Sequence, residues 1–319
     1  MKPKVYVTRH LPEIARDELI KKCDAQIWDT DTPPPYEEIL KHLPDKVGLL
    51  CLLTDRIDAA LMDAAPELKV ISQCAVGYDN INIDAATARG ILIGNTPGVL
   101  TDATADFTFT LLMAAARRVV EAADYVRQGK WETWGLTLLL GQEVYGATLG
   151  IVGMGRIGQA VARRARGFNM RVLYHDIARQ AEAESYLGLE FVSFENLLRE
   201  SDYITLHVNL TDSTKGLIGG HEFELMKSTA ILINTARGPI VDRGALYEAL
   251  STGKIRAAAL DVTDPEPLPF ENELLSLSNL IITPHIASAT VKSRTQMAMM
   301  AVKNLIAGVH GEKLPYPVN

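Results

Sequence analysis

The chain has 319 residues, 47% hydrophobic and 22% charged, so it carries the apolar surface for a core that a disordered chain lacks. Its length suits about two domains, and a net charge of −7 from 32 basic and 39 acidic residues argues against a general nucleic-acid coat. Three cysteines, Cys23, Cys51 and Cys74, make no CxxC pair and no zinc spacing. That excludes a disulfide scaffold, gives no metal site to expect and fits reduced thiols in a cytoplasmic protein.

Met1-Lys2-Pro3-Lys4 leads straight into a strand-like run, so neither a secretory leader nor a membrane span is expected. Short continuous runs of Val, Ile and Leu at residues 5–7, 47–53, 70–74 and 91–93 read as strands buried on both faces, with helical stretches at 12–22 and 57–65 between them. Asn95-Thr96-Pro97-Gly98 is a turn signal. After it, residues 103–128 contain no Pro or Gly and show a helical stripe of Phe107, Leu111, Leu112, Ala115, Val119, Ala122 and Val126, which predicts one long helix. The strand and helix alternation then resumes, with strands at 148–152, 171–174, 203–208, 230–233, 257–262 and 280–282 and a last helix at 291–307. Such alternation means α/β, with two doubly wound parallel-sheet (Rossmann-like) domains and a cleft between them. The expected division is a substrate domain at 1–97, completed by the C-terminal helix in 288–319, and a dinucleotide-binding domain at 98–287.

Gly153-Met154-Gly155-Arg156-Ile157-Gly158 follows the strand at 148–152 and opens a helix at 157–168, the context in which G-x-G-x-x-G signals dinucleotide binding. Gly153 allows the tight turn, Gly155 lets backbone approach a pyrophosphate, and Gly158 lets helix and strand pack closely. The helix N-terminus offers N–H groups and partial positive charge to the phosphates. Asp176 ends the next strand, near the spacing of the acid that binds the adenosine ribose diol. It favours NAD(H), with NADP(H) second because Arg179 lies close by. A plain turn role for Asp176 is the competing reading.

Ligands of open α/β sheets bind beyond the carboxyl ends of the strands. The strand at 230–233 leads to Arg237, that at 257–262 to Glu266, and that at 280–282 to His285, so the three converge on one edge. Arg237 offers a planar fork for a carboxylate, His285 as imidazolium offers a proton to a developing alkoxide, and Glu266 stabilises that imidazolium. Asp264 is a rival for the carboxylate role. His207 closes a strand at the same edge and is expected near the cofactor. This set fits hydride transfer to a small 2-oxo acid.

At these residues the chain resembles the D-isomer-specific 2-hydroxyacid dehydrogenase family, in its glyoxylate/hydroxypyruvate reductase branch. The resemblance runs through Ala75-Val76-Gly77-Tyr78-Asp79-Asn80, Asn95-Thr96-Pro97, Leu100-Thr101-Asp102-Ala103-Thr104-Ala105-Asp106, Gly153 to Gly158, Asn234-Thr235-Ala236-Arg237-Gly238, Leu260-Asp261-Val262 and Pro284-His285-Ile286-Ala287-Ser288. It implies Arg237, Glu266 and His285 as the catalytic set and the backbone N–H groups of Val76 and Gly77 as the substrate carboxylate site. It also implies Leu53 and Ser288 near the substrate, and Thr101, Arg156, Ile157, Asn209, Thr214, Thr235, Ala236 and Asp261 near the cofactor, with Asp261 on the nicotinamide carboxamide. A tryptophan similar to Trp134 reaches a partner's active site in homodimers of this branch, so a homodimer is implied; Trp131 and Trp134 as core residues is the alternative. The chain departs from the family with Asn209 where Pro is usual, Ala287 where Gly is common, and Asp176 where similar reductases carry basic or hydroxyl residues. Other D-2-hydroxyacid substrates, of D-lactate or 3-phosphoglycerate type, and a non-catalytic NAD-sensing binding protein are the rival functions.

Overall fold

In the computed structural model, which describes residues 1–319, the apolar runs become twelve strands in two sheets, every pairing parallel. Contacts divide the chain into two units, Met1–Leu100 with Ala289–Asn319, and Thr101–Ser288. The first boundary falls after Leu100, where the turn signal had pointed to Pro97.

In the first unit, β1 (Lys4–Val7), β2 (Asp24–Ile27), β3 (Gly48–Cys51), β4 (Val70–Gln73) and β5 (Leu92–Gly94) lie in the order β2-β1-β3-β4-β5. Successive residues of a strand face opposite sides, and the chain uses both. Tyr6, Leu49 and Ile71 pack toward α2 (Tyr36–His42), α3 (Ala59–Asp63) and α4 (Ile83–Ala88). Val5, Val7, Leu50 and Val70 pack toward α1 (Glu13–Lys22) and α12 (Val291–Val309), the C-terminal helix. Strand β2 was not expected. It lies at the sheet edge with alternating exposure, so it has no continuous apolar run to show.

In the second unit, β6 (Thr148–Val152), β7 (Arg171–His175), β8 (Glu190–Phe191), β9 (Tyr203–Leu206), β10 (Ile231–Asn234), β11 (Ala257–Leu260) and β12 (Leu280–Ile282) form the order β12-β11-β10-β9-β6-β7-β8. Helices α5 (Thr101–Ala116) and α7 (Arg156–Ala165) cover one face through Leu112 and Val161. The other face carries α9 (Phe194–Glu200), α10 (Gly220–Leu225) and α11 (Arg243–Ser251) through Leu198, Phe223 and Leu246. Helix α8 (Ala181–Leu187) follows β7. The strand order reverses between β6 and β9 here and between β1 and β3 in the first sheet, the switch points where α/β sheets take ligands.

The single helix expected at 103–128 is two. Helix α5 ends at Ala116, and α6 (Val119–Arg127) starts after Arg118, whose φ of 53° breaks the helical path. The Arg118 guanidinium donates to both carboxylate oxygens of Glu121, at 2.8 and 2.6 Å, which ties the break to the first turn of α6. No residue of α6 is buried, so the stripe of Val119, Ala122 and Val126 does not enter the core that α5 builds.

Candidate active site

The switch point of the second sheet carries the glycine turn. Gly153 has φ of 96°, and a Cβ there would lie 2.7 Å from the carbonyl of His207, so only glycine fits. A Cβ on Gly158 would run into the Gly153 carbonyl, which is how the start of α7 seats against the turn. A Cβ on Gly155 would meet nothing within 4 Å. Gly155 faces open space at the N-cap of α7, and no side chain caps the helix. The uncapped first-turn N–H groups and the open ground over Gly155 fit a dinucleotide pyrophosphate.

Asp176, half-buried just past β7, receives the Met154 N–H on Oδ2 at 2.6 Å, and the Gly153 N–H donates to the His175 carbonyl at 2.8 Å. Asp176 thus braces the glycine turn with one oxygen. Arg179 is held by Glu184 through bonds of 2.8 and 2.7 Å, and those two bonds compete with any phosphate for it. Past β9, burial pushes the His207 imidazole down to about 3, so the ring is neutral near pH 7. Its Nε2 is buried without a hydrogen-bond partner beside the glycine turn, an orphaned polar atom of the sort a bound group satisfies.

Arg237, Glu266 and His285 follow β10, β11 and β12, which are neighbours in the sheet with Asn234, Leu260 and Ile282 in register. His285 Nδ1 lies 2.6 Å from Glu266 Oε1, which leaves Nε2 as the ring's other hydrogen-bonding atom. Asp264, the rival carboxylate, makes no such bond in the structure. A Cβ on Gly238 would overlap the Thr263 carbonyl, so the loop bearing Arg237 lies tight against the loop that leads to Glu266. Asn234 shapes that loop from within, accepting from the Ala236 N–H at 3.0 Å and donating to the Arg237 carbonyl at 2.8 Å. Arg237 Nη1 donates to the Ala236 carbonyl at 2.9 Å.

His285 sits at φ of 53°, a left-handed conformation that is rare for a non-glycine residue. Asp261 holds it there. The Asp261 side chain, 1% exposed, accepts from Thr283 Oγ1 at 2.6 Å, the Ile286 N–H at 2.9 Å and the Ala287 N–H at 2.7 Å, while its carbonyl accepts from the His285 N–H at 2.9 Å. The Asp261 carboxylate thus braces the segment around His285, alongside the nicotinamide carboxamide role that the family resemblance implies for it. Thr214 is likewise engaged, donating to the Asn209 carbonyl at 2.6 Å and accepting from the Thr211 N–H at 2.8 Å. Thr235 shares a 2.9 Å hydroxyl bond with Thr108 of α5. Since Thr108 donates to the Thr104 carbonyl, Thr235 is the donor, and its own lone pairs are left to accept. Thr101 and Arg156 are the first residues of α5 and α7, with Ile157 next, and Ser288 is buried. Trp131 and Trp134 are 61% and 75% exposed, so neither fills the core.

In the first unit, Leu53 lies in a turn beyond β3 that is closed by the Leu52 N–H on Asp55 Oδ2 at 2.8 Å. Asn80 Nδ2 donates to the Leu52 and Asp55 carbonyls at 3.0 and 2.7 Å, which binds this turn to the segment beyond β4 that holds Val76 and Gly77. Gln73, Asn80 and Asn95 were not singled out from the sequence as side chains that act here. Only tertiary structure shows which carbonyls their amides reach.

Residues 109–287 match the family model of the D-isomer specific 2-hydroxyacid dehydrogenase, NAD binding domain. The chain is 52% identical over 320 residues to a glyoxylate reductase of Korarchaeum cryptofilum, covering all of this chain and 96% of that one. Among solved structures, a Thermus thermophilus protein superposes with a TM-score of 0.94 at 48% identity, covering 99% of this chain and 100% of the other. A glyoxylate reductase from Paecilomyes thermophila gives 0.88 at 32% identity, covering 99% and 98%.

Proposed function

Because the chain belongs to the D-isomer specific 2-hydroxyacid dehydrogenase family, and so to the NAD(P)-dependent oxidoreductases, we propose that it reduces a small 2-oxo acid, glyoxylate or hydroxypyruvate, to the 2-hydroxy acid. The observation that carries this reading is the 2.6 Å pair of His285 and Glu266 at the ends of neighbouring strands in a sheet with a dinucleotide-type glycine turn. Relatives named glyoxylate reductase at about half identity over the full chain support the substrate class.

The uncapped N-terminus of α7 and the open ground over Gly155 would hold a reduced nicotinamide cofactor, which would supply the hydride. Glu266 orients the imidazole and offsets its charge, and His285 Nε2 gives a proton to the carbonyl oxygen as it becomes an alkoxide. Arg237 binds the carboxylate and polarises the adjacent carbonyl. The N–H groups of Val76 and Gly77 hold the carboxylate, and Leu53 and Ser288 shape the room for the substrate's other end. Asp176 and the pairing of Arg179 with Glu184 favour NADH over NADPH. No helix is long and apolar enough to cross a membrane. The working form is a homodimer, and the exposed apolar segment that contains Trp134 supports this.

The test is steady-state kinetics of wild type and His285→Ala over glyoxylate, hydroxypyruvate, pyruvate and a phosphorylated 2-oxo acid, each with NADH and NADPH. Glyoxylate or hydroxypyruvate with NADH should give the highest kcat/KM, and His285→Ala should lower kcat at least about 100-fold. A tenfold preference for pyruvate would reassign the substrate within the family. No turnover with any acid would favour the NAD-sensing binding protein.

A further inference from the structure

Three successive peptide groups beyond β4 are gripped by their carbonyls. The Ala75 carbonyl accepts the Thr96 N–H at 3.0 Å, the Val76 carbonyl accepts Asn95 Nδ2 at 2.8 Å, and the Gly77 carbonyl accepts Gln73 Nε2 at 3.1 Å. A trans peptide is planar, with its C=O and N–H pointing in opposite directions. Fixing the carbonyl of one residue therefore fixes the direction of the next residue's N–H. The three grips set the N–H groups of Val76, Gly77 and Tyr78 in turn, and none of these N–H groups donates to a protein atom. Successive unbonded backbone N–H groups can form an anion-binding concavity where the chain turns, and residues 74–76 form a bend.

We propose that Asn95 and Gln73 are positioning residues for substrate binding. Asn95 aims the Gly77 N–H and Gln73 aims the Tyr78 N–H, which adds a third backbone donor to the carboxylate site. The proposal rests on the reading of Val76 and Gly77 as that site.

Both amides are themselves braced. The backbone of Asn95 is held independently of its side chain, by its N–H on the Tyr316 carbonyl at 3.2 Å and by Asn304 Nδ2 on its carbonyl at 2.9 Å. Gln73 is fully buried, donates also to Asn80 Oδ1 at 2.7 Å, and accepts from Cys51 Sγ at 3.2 Å. The carbonyl grips come from rigid strand ends, so the N–H groups are aimed before an anion arrives, and less ordering is left to be done on binding.

The experiment compares wild type, Asn95→Ala, Asn95→Asp and Gln73→Met by KM and kcat for glyoxylate, inhibition by oxamate, NADH affinity and Tm. Removing one aiming amide should raise KM and the oxamate inhibition constant about tenfold, with kcat and NADH affinity within about twofold, the signature of lost substrate binding alone. Asn95→Asp adds a signature of its own. An ionised carboxylate cannot donate to the Val76 carbonyl, so at pH 8 its KM should exceed that of Asn95→Ala. Near pH 5 a protonated carboxyl can donate, and its KM relative to wild type should fall while the alanine variant shows no such trend. The near-isosteric Asn95→Asp also carries the test if Asn95→Ala does not fold. Folded variants with KM and oxamate inhibition unchanged would overturn the positioning role and leave the reductase reading intact. Equal losses in NADH affinity would also overturn it, as general disruption. A wild type that reduces no 2-oxo acid would overturn the reductase reading, and the carboxylate site with it.

Discussion

Asp261 decides where His285 can be. A left-handed non-glycine residue costs roughly 1–2 kcal/mol, and four bonds from this one aspartate to residues 283, 285, 286 and 287 keep His285 there. Replacing it with alanine leaves the buried Ala287 N–H without a partner, at a cost of about 1–3 kcal/mol, and also removes the acceptor of the Ile286 N–H and the Thr283 hydroxyl. We expect Asp261→Ala to lower Tm and to cut kcat about 100-fold, while NADH affinity, measured by fluorescence titration, changes less than about fivefold. If the main work of Asp261 were instead to bind a nicotinamide carboxamide, NADH affinity would carry most of the loss. The positions of Arg237, Glu266 and His285 could be read in the sequence because each follows a run of strand-forming residues. The reach of Asp261 could not, since a single acid at a strand end gives no sign of which N–H groups fold back over it. Gln73, Asn80 and Asn95 were hidden for the same reason.

The glycine turn separates folding from binding within one element. Gly158→Ala would press a methyl into the Gly153 carbonyl and force α7 away from β6, so it should lower Tm by several degrees. At Gly155 the φ of −72° suits any residue and a Cβ meets nothing. Gly155→Ala should therefore leave Tm within about a degree yet weaken NADH binding at least about tenfold, because its methyl stands where the pyrophosphate must approach. Thermal melts with and without NADH distinguish the two, and a Gly155→Ala protein that binds NADH normally would move the phosphates elsewhere. The same element shows how far patterning carries. Strand β6 and the turn were legible from a Val- and Ile-rich run followed by spaced glycines. Strands β2 and β8 were not, because one alternates in exposure and the other is two residues long. The break at Arg118 also left no mark, since neither Pro nor Gly stands there and the apolar stripe continues past it.

That stripe matters at the scale of the whole molecule. Nine of the twenty-one large apolar side chains exposed in the structure fall in residues 119–145, among them Val120, Val126, Trp131, Trp134 and Leu136. Contiguous exposed apolar area of this kind is uncommon on a monomer and marks an interaction surface. Val119 also lines a groove of about 640 Å³ with Phe109, Met113 and Phe168, so the start of α6 joins the exposed segment to that groove within a single unit. The proposed homodimer would place a second copy of the chain on this face, in a self-complementary contact that closes about a twofold axis. A net charge of −7 on each chain opposes association at long range, so the short-range apolar contact must supply the stability. Sedimentation at micromolar concentration should give twice the 34.9 kDa chain mass. Like charges placed on the stripe, in Val119→Glu with Val126→Glu, should weaken the dimer by at least about 30-fold, the scale of a contact worth roughly 2 kcal/mol. The NADH affinity of the separated chains should stay near normal, because the groove meets α7 at Arg164, at the end away from the glycine turn. A wild type that sediments as a monomer throughout would leave this face to another partner and remove Trp134 from any role in catalysis.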